Sequence, residues 1–497
     1  MPDILLTTLN ARYIHSAMGL QCLYANMGEL QPRSAILEYT LQQRPVDIAE
    51  HLLSFEPKVI GFGVYIWNTQ LTYQVIQLLK TVMPEITIII GGPEVSYETE
   101  QQSICDLADV VISGQADHQF AQTCRDILDG KSTQAVITAK QPALDTLVLP
   151  YEYYTDDDIA NRVIYVEASR GCPFKCEFCL SALDKTAWAF DLDMFLQAME
   201  DLYQRGARHF KFVDRTFNLK VASSERILTF FLEKPQHDLF LHFELIPDNL
   251  PERLKSLISQ FEPNTLQFEI GIQTFNPDIQ TLISRRQDNE KTRENIAWLR
   301  QHSHAHLHTD LILGLPGETL SSIEAGFNKL VTLQPHEIQV GILKRLRGTP
   351  IIRHTDEYEM RYNPLPPYNI LATRDIDFKT MQRLTRFARY WDLIANSGRF
   401  RHTLPQLLGD NAFSTFMQLT DWIYKTTSQT HKIALPRLFH LLYRAMTEQL
   451  GISSETSEAV LMLDYHLSGI KGKARFMNVQ EKELNKASQG NSRQQRF

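Results

Sequence analysis

Apolar and polar positions change rhythm three times along this 497-residue chain. Up to about residue 135, short apolar runs alternate with amphipathic stretches, the pattern of a parallel sheet with crossover helices. The runs predict strands over Ile4–Thr8, Ser34–Tyr39, Val59–Tyr65, Ile86–Ile90 and Val110–Ser113. A longer series begins near Val163, with strands expected over Val163–Ala168, His209–Val213, Leu239–Leu245, Leu266–Ile272, Leu307–Leu313 and Ile338–Leu343. Helix-like sequence such as DMFLQAMEDLYQRG separates them, and six βα units in series predict a barrel or part of one, with its chemistry at the carboxyl ends of the strands. Beyond RGTPII the period becomes helical, as in FKTMQRLTRFARYWDLIANS and LPRLFHLLYRAMTEQL, whose aromatic stripes read as core. The expected fold is therefore α/β: a doubly wound parallel sheet over 1–140, a linker over 141–160, a partial (β/α)6 TIM-like barrel over 161–350, a mainly α-helical domain over 351–475 and a basic tail over 476–497.

Composition narrows the class. Hydrophobic residues make up 43% and charged residues 22%, and no apolar run reaches the length of a membrane span. The opening MPDILLTTLNARYIHSAMG has no basic stretch ahead of an apolar one, so a cytoplasmic address is expected. Six cysteines in so long a chain cannot form a disulfide scaffold, and a reducing compartment keeps thiolates available for metal. The net charge of -8 argues against nucleic acid as a partner of the whole protein. Only the end, KGKARFMNVQEKELNKASQGNSRQQRF, is locally basic, and it reads as a solvated tail.

The predicted strands of the first unit run into NARYIH, YIWN, GGPE and SGQAD. Ligands of doubly wound sheets bind outside the carboxyl ends of the strands, so these four loops are expected to share one mouth. Gly91 and Gly92 would let backbone approach a flat ligand closely. In the second unit, SRGCPFKCEFCLS follows the first barrel strand and holds Cys172, Cys176 and Cys179 in the spacing C-x3-C-x2-C. Clustered thiolates bind soft metal, either an iron–sulfur cluster or structural zinc. Zinc wants a closed set of four ligands, and no second C-x2-C exists here. Three thiolates on a four-iron cluster leave one iron open for a further ligand.

CPFKCEFC, placed after the first strand of a βα barrel, resembles the radical S-adenosylmethionine (SAM) superfamily. The resemblance implies that the open iron binds the amino and carboxylate groups of SAM, and that an electron from the [4Fe–4S] cluster cleaves SAM to a 5′-deoxyadenosyl radical. It further implies an electron donor such as a reductase, flavodoxin or ferredoxin. On the family's pattern Phe178 lies near adenine. Asp214 in FKFVDRTFN contacts the SAM amine, and Glu244 in HFELIPDNL and Gln273 in FEIGIQTF supply further polar contacts. Arg285 or Arg286 in LISRRQD meets the SAM carboxylate, where a guanidinium fits in bidentate fashion. DLILGLPGET, Asp310 to Thr319, is similar to the fifth-strand loop of the branch with the methylthiotransferases and the cobalamin-dependent enzymes.

The preceding doubly wound unit strengthens the likeness to cobalamin-binding radical SAM enzymes, a subgroup with a helical C-terminal domain of no assigned role. Tyr65, Trp67, Asn68, Gly91, Gly92 and Gly114 are then the expected cobalamin contacts. The Asp-x-His-x-x-Gly motif of the cobalamin mutases is absent, since RYIHSAMG has His15 without an Asp two places before it. That departure fits cobalamin held without a protein ligand, and equally a domain that has lost the corrin. The leading expectation is a cobalamin-dependent methyltransferase acting on an unactivated carbon. The alternatives are radical rearrangement or oxidation without methyl transfer, and a non-catalytic cluster and corrin sensor or redox protein. A tRNA methylthiotransferase is disfavoured, because cysteines for a second cluster and a basic RNA-binding domain are both missing.

Overall fold

All seven residues of the first strand, β1 (Ile4–Asn10), are buried, as expected of a parallel strand covered by helices on both faces. Strands β2 (Ser34–Thr40), β3 (Val59–Gly63), β4 (Thr87–Gly91), β5 (Val110–Ser113) and β6 (Val136–Thr138) join it in the parallel order β2-β1-β3-β4-β5-β6. Strand β6 escapes the sequence reading because it is three residues long and its Val136 is exposed. The computed structural model describes residues 1–184, 186–470 and 474, so the tail expected over 476–497 lies outside the described residues.

The second sheet is parallel and open, in simple sequence order: β7 (Ile164–Val166), β8 (His209–Phe212), β9 (Phe240–Leu245), β10 (Leu266–Gln273), β11 (His306–Leu313) and β12 (Glu337–Ile342). Its inner strands alternate strictly. In β10, Leu266, Phe268, Ile270 and Ile272 are buried in the core under the helices, which turns Gln267, Glu269, Gly271 and Gln273 to the other face. Strand β11 repeats the pattern with His306, His308 and Asp310. The lumen is thus polar, and its open side leaves room for a ligand where a closed barrel would be filled by side chains.

The expected linker is ordered against the barrel. A capping box between Thr155 and Asp158 starts the helix Asp156–Asn161, and Tyr151 and Tyr154 are buried in the barrel's core. The C-terminal helices, Phe378–Ile394, Ala412–Thr427, Leu435–Glu448 and Ser454–Leu467, continue that core. Phe327 on the last barrel helix, Leu320–Thr332, meets the rings of Phe387, Trp391 and Phe413 edge-on at 5.0, 4.8 and 5.8 Å. The aromatic stripes therefore pack the helical domain to the barrel, as their periodicity predicts. Among the described residues, no helix is long and apolar enough to cross a membrane.

Truncating the centre of this aromatic cluster tests the shared core. Phe387→Ala should destabilise the protein by about 3–5 kcal/mol, read as a lower urea midpoint. Barrel and helical-domain probes should shift together, whereas a shift confined to the helical domain would mean that the two cores are independent.

Candidate functional site

Two cavities lie at the carboxyl ends of the two sheets. The smaller, about 230 Å³, sits over the barrel and is lined by Cys172, Cys176, Cys179, Phe178, Glu244, Gln273, Arg285, Arg286 and Asp310. The cysteine loop leaves β7 through the bridge Ser169–Arg170, which pairs antiparallel with Trp188–Ala189. Gly171 adopts φ +87°, and a Cβ there would stand 2.0 Å from Thr186 O, so only glycine permits this close approach. Burial pushes the Cys172 thiol up to about 11 and raises that of Cys176, against the pull of the Arg285 guanidinium 3.6 Å from its sulfur.

Strand β10 ends in a bulge between Gly271 and Gln273, and Gln273 takes a left-handed φ of +68°. Its Oε1 is buried without a hydrogen-bond partner, and Asp310 Oδ1, also without a hydrogen bond, lies 3.4 Å from His308 Nε2. Arg285 donates to Gly271 O and to Gln287 Oε1, which fixes its guanidinium beside Cys176. The lumen charges are matched unequally. Glu244 accepts from Arg215 at 2.7 Å, yet burial still raises its carboxyl to about 7. The His242 hydrogen bond lowers Glu269 to about 2. Burial, with the charges of Glu269 and Glu244, pushes Asp310 to about 8, only partly countered by Arg285 and Lys211.

The larger cavity, about 560 Å³, opens between the two units. The first sheet contributes Tyr65, Gly91, Gly92, Gly114, Gln115 and Asp117, and the barrel contributes Glu167, Arg170 and Arg215. Gln115 Oε1 and Asp117 Oδ1 are buried here without partners. Arg170 donates to Asp117 at 2.9 Å and to Glu167 at 2.7 Å, tying the root of the cysteine loop to the first unit. Arg215 lines both cavities, and about half of its side-chain surface remains accessible.

Several expected contacts fall elsewhere. Asp214 does not face the cysteine cavity: it accepts from Ala168 N and Ser169 Oγ, bracing the exit of β7, and lines a small void of about 40 Å³. Its neighbour Arg215, which the sequence reading passed over, takes the exposed position. Asn68 is fully buried and caps its own loop, accepting from Tyr65 N and donating to Thr8, Leu9 and Gly63. Trp67 is half exposed and stacks on Tyr65 at 4.5 Å, outside the cavity lining. Gly92 has φ +110°, but the space a Cβ would fill is taken by Val64 O at 2.6 Å, so loop packing already requires glycine there. Of the four expected loops NARYIH is missing from the mouth; His15 instead meets Tyr165 of β7 at 2.7 Å.

Sequence comparison finds three family models along the chain. The model of the radical SAM superfamily matches residues 166–330, that of the B12 binding domain residues 4–123, and that of a protein family of unknown function, DUF4080, residues 356–496. An uncharacterized methyltransferase of Pyrococcus horikoshii is 22% identical over 56% of this chain and 65% of its own. The cobalamin-dependent radical SAM methyltransferase TokK of Streptomyces tokunonensis is 22% identical over 63% of this chain and 51% of its own. The chain thus spans about two thirds and half the length of these relatives. The radical SAM methyltransferase TsrM of Kitasatospora setae, solved with cobalamin and a [4Fe-4S] cluster, superposes with a TM-score of 0.59 over 94% of this chain and 100% of its own, at 15% identity.

The lumen electrostatics predict a pH signature. A carboxyl raised in the folded state stays protonated, and its ionisation penalty grows as pH rises from the unfolded value of about 3.9 toward the folded one. Asp310→Asn should therefore gain thermal midpoint over the parent chain increasingly between pH 5 and pH 8. A difference that stays constant across this range would mean that Asp310 is ionised in the fold.

Together, the cysteine loop and the two matches give this chain a radical SAM domain over residues 166–330 with a B12-binding domain ahead of it over residues 4–123.

Proposed function

We propose that this protein is a cobalamin-dependent radical SAM methyltransferase. In this reading Cys172, Cys176 and Cys179 hold a [4Fe–4S] cluster, SAM lies in the smaller cavity, and cobalamin lies in the larger one. The observation that carries it is that the cysteine cavity and the strand-end cavity of the first sheet meet at one shared residue, Arg215. The donor sets fit these groups. Three thiols without a fourth protein ligand suit a cluster that keeps one iron open. Gln273 Oε1 and Asp310 Oδ1 suit a polar ligand beside it, and Gln115 Oε1 and Asp117 Oδ1 suit an amide-rimmed ring.

When bound, the cluster with SAM supplies a carbon-centred radical, and the corrin supplies a methyl carrier. The chain's own residues bind, orient and exclude water. Arg285 and Arg286 present cations to a carboxylate, and Phe178 offers a flat apolar wall. Glu244 holds Arg215 in place at the junction, so a substrate that must reach both cavities has its reacting carbon beside that guanidinium. The reducing equivalent comes from a flavodoxin, ferredoxin or dedicated reductase. All six cysteines are unpaired, which supports a reducing, cytoplasmic setting.

Anaerobic purification with reconstituted cluster and added cobalamin tests the reading through the absorption spectrum. A corrin band should copurify, and reduction in the presence of SAM should yield 5′-deoxyadenosine. Cys176→Ala should lose the cluster absorbance and that product; a purified variant that still cleaves SAM would sink the proposal. Once a substrate is found, its product should be heavier by one CH2, and a product of unchanged carbon count would replace methyl transfer with rearrangement or oxidation.

A further inference from the structure

One short segment outside both cavities touches a loop of each. After β12 the chain runs through Arg345, Arg347 and Gly348 into a 3-10 helix, Pro350–His354. At its upper end Arg345 Nη2 donates to both oxygens of Glu98, at 2.9 and 2.8 Å. Arg347 donates to Glu94 Oε1 and Glu98 Oε2, both at 3.1 Å, and Tyr368 Oη donates to Glu94 Oε1 at 2.7 Å. Glu94 and Glu98 belong to the loop that begins with Gly91 and Gly92 on the larger cavity. Gly348 has φ +78° and lies under the Tyr97 ring, where a Cβ would stand 2.3 Å from Cγ.

At the lower end Arg353 and His354 converge on Glu177, the residue between Cys176 and Phe178. Arg353 Nε and His354 Nε2 each lie 2.8 Å from Glu177 Oε2, while Arg353 Nη2 and Ser284 Oγ bond Oε1 at 2.5 and 2.6 Å. The main chain is stitched too: Ile351 N donates to Glu177 O at 3.0 Å, and Glu177 N donates to Ile283 O at 3.1 Å. Ser284 directly precedes Arg285, so one carboxylate links the cysteine loop, the arginine loop and the segment. Glu177 is 3% exposed and Glu94 3%, and a buried carboxylate that loses a partner is strongly destabilising.

We propose that residues 345–354 are a strut that sets the position of the cysteine loop relative to the loop of the larger cavity, with Glu177 as the positioning residue at its lower end. The function rests on the reading that both cavities hold cofactors. The physical argument does not: each end is anchored on a buried carboxylate, Glu94 above and Glu177 below, the stretch between them is a turn with Thr349 and Ile351 buried, and Gly348 admits no side chain. Loosening the upper end should therefore free the cysteine loop at the lower one.

The test uses the full-length apo protein under anaerobic conditions, with iodoacetamide alkylation of each cysteine followed by peptide mass spectrometry. Glu98→Gln should speed alkylation of Cys176 and Cys179 about tenfold through local opening, with Cys124, buried in the first unit, unchanged. Glu177→Gln should do the same, and the double variant should react no faster than Glu177→Gln alone. Gly348→Ala gives an independent break and should match Glu98→Gln. Unchanged rates in Glu98→Gln and Gly348→Ala, additive effects in the double variant, or parallel acceleration of Cys124 would each overturn the strut. After reconstitution, the electron paramagnetic resonance signal of the reduced cluster should change its SAM-induced shift in Glu98→Gln. A parent protein that assembles no cluster would sink the proposed function while leaving the thiol coupling intact.

Discussion

Strand alternation in an open barrel puts charge where water is scarce, and much of the site follows from that constraint. Once Leu266, Phe268, Ile270 and Ile272 commit to the helices, Glu269, Gly271 and Gln273 must face the lumen. The same holds for His306, His308 and Asp310 in the next strand. Each buried charge then needs a partner or a proton. Glu244 takes Arg215 and Glu269 takes His242, whereas Asp310 keeps its proton because burial, with the charges of Glu269 and Glu244, outweighs Arg285 and Lys211. The floor of the smaller cavity is consequently neutral at one point and anionic at another a few residues away. This asymmetry arises from burial, not from any motif.

What was legible in the sequence was whatever depends on short-range order. Strands long enough to show period-2 or continuous burial were placed within a few residues, and the three cysteines reached one cavity wall because a single tight loop carries them. Asp214 misled because β8 ends at Phe212, so alternation no longer says which way the following side chains point. Asn68 misled for another reason: a buried loop amide that satisfies four backbone and side-chain groups looks, in sequence, the same as one that waits for a ligand. Contacts such as Arg345 with Glu98 join residues 247 positions apart and leave no local trace.

The helical domain, none of whose described residues lines either cavity, can still bear on the site. Its helix Phe378–Ile394 packs Phe387 and Trp391 on Phe327, and the same continuous core includes Ile370 and Met360 beside the turn that supplies Tyr368 to Glu94. The domain thus buttresses the segment that leaves β12.

The cysteine loop is therefore held at points that the cysteines themselves do not provide. Asp214, absent from the cavity it was expected to line, binds Ala168 N and Ser169 Oγ just before the loop begins. Arg170 ties the next residue to Asp117 of the first unit. Glu177 fixes the middle from the far side, through Ser284, Arg353 and His354. A loop with a left-handed glycine at its root and three thiols has little intrinsic order. Three buried carboxylates supply the order that the loop lacks: Asp214 and Glu177 with several donors each, and Asp117 through Arg170. One of them, Asp117, also lines the larger cavity, so changes in that cavity's frame bear directly on the geometry of the thiols.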